Sequence, residues 1–147
     1  MTKLLLSLHV LAAIVAIGPV TVAASMFPAA LRRSDRPAMQ TLHRICRVYA
    51  ALGILVPVLG LATAGAMGIL GSAWLLTSLF LTIAAAVVLG FLVLPSQAAA
   101  LPAPSAALPA SSASSPARLG MTAGLFNLLW AVVVVLMVVR PGSTTGA

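Results

Sequence analysis

Apolar residues run along this chain in four long blocks, and polar residues gather in the gaps between them. The first block extends from Leu4 to Phe27, and its one ionisable residue is His9. The second runs from about Val48 to Leu70, the third from Trp74 to Leu94 and the fourth from Leu119 to Val139. Each has about the 20 residues that a helix needs to cross about 30 Å of hydrocarbon. No stretch alternates with period two, so a barrel is not indicated, and in lipid the backbone must bond to itself. The pattern predicts an all-α fold, a four-transmembrane-helix bundle forming one membrane domain over residues 1–147.

The gaps differ in kind. Ser34 or Asp35 can cap a helix, and Pro37 suits its first turn. From there the helical pattern continues unbroken into the second block. Helix 2 is therefore expected to extend about two to three turns into the cytoplasm. On that projection Arg36, Gln40, Arg44 and Arg47 mark one side and Met39, Leu42, Ile45 and Tyr49 the other. This is an amphipathic segment suited to anionic headgroups. Pro57 should kink the second span near its middle. The second gap, about Gly71 to Ala73, is so short that spans two and three must be antiparallel neighbours, with Trp74 as an interface anchor. The third, residues 95–117, is rich in Ala, Pro and Ser and reads as a flexible linker.

Composition agrees with lipid as the solvent. Hydrophobic residues make up 62% and charged residues 6%, too little charge to cover a soluble globule and too much apolar content for a disordered chain. The net charge of +7 would suggest nucleic acid in a soluble protein, but the bases sit at the ends of the apolar blocks. Arg32, Arg33, Arg36, Arg44, Arg47 and Arg118 fall on one side of a four-span topology, and Lys3 and Arg140 on the other. The positive-inside bias places the first and third loops in the cytoplasm and both termini outside, an N-out/C-out arrangement. Lys3 and the small residues around Ser25 also allow a cleaved signal peptide, but the first block is long for one.

Little in the spans can do chemistry. His9 lies about 7–8 Å below the outer surface, where an ionisable group is a functional candidate by default. It could hold haem or a metal or relay a proton; the plainer alternative is a neutral imidazole bonded to a neighbouring helix. Met39, His43 and Cys46 share one helical face and could suit Cu(I) or a haem edge, although flanking arginines oppose cation capture. Asn127 should face the bundle, and Trp130, far from either interface, packs there, lines a cofactor pocket or meets another subunit. Gly60, Ala64 and Gly68 recur every fourth residue, and Gly120 and Gly124 form a GxxxG pair. Both sets are candidates for close helix packing. There is no intramembrane acid, Walker loop, HExxH or CxxC motif, and one cysteine allows no internal disulfide.

Two stretches carry a likeness. Leu8-His9-Val10-Leu11-Ala12-Ala13, with Gly18 and Arg32-Arg33 following, and Leu136-Met137-Val138-Val139-Arg140-Pro141-Gly142 resemble a family of small bacterial integral membrane proteins of unknown function. The four-helix pattern is also similar to CopD-domain and HemJ-type membrane proteins. That resemblance implies haem or redox chemistry at His9. The chain departs from it in the run Ala16-Ile17-Gly18-Pro19, where tryptophan and paired glycines often stand. The sequence thus favours a non-enzymatic accessory or structural subunit in the bacterial plasma membrane, without a cofactor. Such a subunit would contact anionic lipid and other membrane subunits or a second copy, and no nucleic acid. Haem or copper handling through His9 is the alternative, and a small transporter or channel the third.

Overall fold

The structure, a computed structural model, describes residues 1–101 and 115–142. Six α-helices account for most of them: α1 (Thr2–Arg32), α2 (Arg36–Gly53), α3 (Leu55–Met67), α4 (Ala73–Val87), α5 (Leu94–Ala100) and α6 (Pro116–Val139). A π-helical turn, Val88–Val93, joins α4 to α5. Four continuous rods result, each long and apolar enough to cross a membrane: α1, α2 with α3, α4 through α5, and α6. The described residues contain no strand. Outward-facing apolar side chains remain bare, with Phe80, Phe91, Met121 and Val138 71–77% exposed. In water that surface would drive aggregation.

The turns obey local chemistry. Ser34 takes a left-handed φ of 54°, and the Asp35 N–H reaches back to Ala30 O at 3.0 Å. Asp35 then caps α2 by accepting from Ala38 N at 3.1 Å, with Pro37 in the first turn. At the far end of α3, Gly68 sits at φ 69°, its N–H bonding Gly65 O while the Ile69 N–H bonds Ala64 O. These two bonds form a Schellman stop, which glycine enters without a Cβ penalty. Gly68 therefore ends a helix; it does not pack one.

Pro57 acts one turn ahead of its own position. It offers no N–H to Gly53 O and its ring crowds that carbonyl. The rod accordingly breaks at Ile54, whose N–H bonds Ala51 O at 3.3 Å in a tightened turn. α2 packs on α1 and α5, and α3 on α1. The apolar face of α2 is thus used within the protein, with Met39 and Cys46 buried, while Arg36, Gln40, Arg44 and Arg47 stay exposed.

Two expectations change. The helix continues through Ala100, so the linker does not begin at Pro95; the π turn, in which the Leu94 N–H bonds Leu89 O, opens the rod just before that proline. Residues 102–114 of the expected linker lie outside the described residues. Spans two and three are antiparallel, but α3 rests on α1 and α4 on α6. Beyond the turn that joins them, where Ala64 meets Trp74 and Leu75, α3 and α4 share little contact. The chain order makes them adjacent, but packing sets them on opposite walls of a cleft.

Candidate functional site

That cleft has a volume of about 620 Å³ and is partly open. It lies at the end of the bundle that carries the α3–α4 turn and the last residue of α6, and its walls come from α1, α3, α4 and α6. His9, Gly60, Trp74, Trp130, Met137 and Arg140 all line it. Its size falls within the ordinary range of small-molecule sites. From Trp130 to Arg140 is ten residues of helix, a depth of about 15 Å.

His9 is fixed from two directions. Its Nδ1 lies 2.9 Å from Val56 O. A carbonyl only accepts, so Nδ1 is the donor in this contact. The ring edge rests on Gly60, where an added Cβ would stand 2.9 Å from His9 Cε1. Gly60 is absent as a side chain so that an imidazole can lie there. His9 and Gly60, which the sequence offers as separate signals, are one device holding α1 to α3.

The rest of the wall is mostly apolar. The Thr63 hydroxyl returns to Leu59 O at 2.7 Å and that of Thr82 to Ser78 O at 2.7 Å, so both are satisfied within their own helices. Among the described residues that line the cleft, Arg140 carries the charge. It caps α6 in the left-handed conformation, φ 47°. Its Nε donates to Met137 O at 3.4 Å, and its guanidinium lies over the Trp74 ring, 5.8 Å from the centroid. The sequence marks Arg140 only as a topology label, because nothing local reveals that Trp74 comes beneath it.

A polar knot lies toward the arginine-rich end. Gln97, fully buried, accepts from His43 Nδ1 at 3.1 Å and donates to Cys46 Sγ at 3.6 Å. His43 and Cys46 do meet, but around the Gln97 amide. Met39 joins a different cluster with Phe27, Ala30 and Leu119. Among the described residues no group of three or more His, Cys, Asp or Glu side chains could hold a metal ion. Sequence reasoning missed Gln97 because it sits inside the stretch read as linker.

The remaining candidates are dispersed. Asn127 donates to Ser25 Oγ at 2.9 Å across the α1–α6 seam, while its Oδ1 is buried without a partner among the described residues. Trp130 packs on the core and lines the cleft. Ala64 is buried. Gly120 has Pro28 Cγ 4.0 Å from the position of a Cβ, and Gly124 has nothing within 4 Å, so the GxxxG pair makes no tight seam within the chain. Arg32, Arg33, Arg36, Arg44 and Arg47 are all exposed around the α1–α2 turn. No protein-family model matches the chain, and neither a curated protein nor a solved structure matches it.

Proposed function

We propose that this protein is a non-catalytic, multi-pass component of the bacterial plasma membrane that binds a small apolar-bodied molecule in the α1/α3/α4/α6 cleft. The observation that carries this reading is the cleft itself: about 620 Å³ of largely apolar space with a few fixed polar groups, the ordinary composition of a ligand site. The arginine-rich turn supports cytoplasmic placement of the first and third loops. The bare apolar exterior suits lipid and neighbouring subunits, with the Gly120 and Gly124 face free for a partner helix. The test is purification in a mild detergent and mass analysis of small molecules that accompany the folded protein. A stoichiometric apolar compound is expected, and Ala13→Phe, which adds bulk at a half-buried position of the cleft wall, should release it. Wild-type protein that carries nothing and takes up nothing refutes the reading. An impermeant maleimide applied to whole cells should label Thr2→Cys and spare Ser34→Cys; the reverse pattern would overturn the orientation.

A second reading is haem or copper handling at His9. It is favoured by His9, whose Nδ1 contact to Val56 O leaves Nε2 outside that bond, and by Met67 and Met137, which line the same cleft from α3 and α6, since imidazole with thioether suits Cu(I). A Soret band or bound copper in pure protein would support it, and the absence of both would end it.

A further inference from the structure

We infer that the cleft takes one acyl chain of an anionic phospholipid, received sideways from a single leaflet, with the phosphate held at Arg140. This rests on the binding reading above and adds the class of ligand and its route. Three observations converge. The first is charge. Arg140 lines the cleft at its end, and one guanidinium nitrogen is engaged by Met137 O. The chain's one acidic side chain, Asp35, is committed to capping α2 beside the α1–α2 turn, at the opposite end of the bundle. A guanidinium presents several donors in a fork that matches phosphate. Trp74 lies beneath it, with the guanidinium 5.8 Å from the ring centroid.

The second is length. The cleft is about 15 Å deep, half of a hydrocarbon core of about 30 Å, so its floor at Trp130 reaches the bilayer midplane when Arg140 stands at the headgroups. An acyl chain of one leaflet spans the same distance. The third is access. α3 and α4 share little contact beyond their connecting turn, yet both line the cleft. The seam between them therefore faces lipid, and a chain can slide in without leaving the membrane.

The two tryptophans of the protein both line the cleft, so intrinsic fluorescence reads its occupancy. The protein is reconstituted in phosphatidylcholine vesicles containing brominated-acyl phosphatidylglycerol or brominated-acyl phosphatidylcholine, and emission is recorded for wild type and for Trp74→Phe, which isolates Trp130. Phosphatidylglycerol should quench at roughly fivefold lower mole fraction, the preference one base near the surface supplies. Arg140→Gln should erase the preference and Arg140→Lys should keep most of it. Should Trp74→Phe not fold, the same comparison holds on the wild-type chain. Equal quenching by both lipids overturns the headgroup assignment and leaves the binding reading standing. Quenching by neither overturns the phospholipid, and the binding reading is then decided by the small molecules that accompany the purified protein. Relief by unbrominated oleate at lower mole fraction than by unbrominated phosphatidylglycerol assigns the cleft to a free fatty acid and overturns the phospholipid. Quenching unchanged in Ala13→Phe overturns the cleft as the place where the lipid is read.

Discussion

Replacing Gly60 by Ala puts a methyl group where the His9 ring now lies, 2.9 Å from Cε1 and 3.3 Å from Nδ1. The ring cannot retreat without stretching its 2.9 Å bond to Val56 O. Losing that bond costs about 0.6–1.5 kcal/mol, the lower figure being usual for polar pairs inside membranes. Crowding a packed contact costs about 1–3 kcal/mol more. Against this, removing a glycine from a helix interior returns about 1 kcal/mol. The net expectation is a loss of about 1–3 kcal/mol. Gly65 supplies the control on the same helix, since its nearest neighbour to an added Cβ is Leu70 Cδ1 at 4.0 Å. Gly65→Ala should therefore keep the gain of about 1 kcal/mol. Reversible unfolding in mixed micelles with rising dodecyl sulfate, followed by circular dichroism, measures each variant. The decisive step is the double-mutant cycle with His9→Ala, in which Gly60→Ala should turn from harmful to stabilising. If its cost is the same with and without the imidazole, to within about 0.5 kcal/mol, the idea that Gly60 exists to seat His9 is wrong.

Other outcomes follow from the polar contacts. Gln97→Ala leaves the His43 and Cys46 groups without their shared partner and should cost about 1–3 kcal/mol in the same unfolding assay; Cys46, fully buried in the intact protein, should then react with maleimide much faster. Asn127→Leu removes an amide whose Oδ1 has no partner among the described residues, so its stability should stay within about 0.5 kcal/mol of wild type. Ser25→Ala, which strips the acceptor from Asn127 Nδ2 and leaves the amide in place, should lose about 1 kcal/mol. A larger loss for Asn127→Leu than for Ser25→Ala would contradict that account.

Much was legible from one dimension because it depends on local or averaged quantities. The four rods follow from the length of the apolar blocks, and the cap at Asp35 from three adjacent residues. The break before Pro57 follows from the missing N–H of a single ring. The amphipathic split of α2 is likewise a matter of spacing, and the exposed arginines fall where it puts them. Tertiary structure decided what those elements do to one another. Gly60, Ala64 and Gly68 look like one repeating signal, yet one seats an imidazole, one packs beside Trp74, and one stops the helix. Their difference lies in which atoms arrive from α1 and α4, which no spacing encodes. The cleft itself is of this kind. Its walls join Leu6 to Arg140, nearly the whole length of the chain. It exists because α3 found its packing on α1 and α4 found its own on α6, leaving the two helices that share a turn apart.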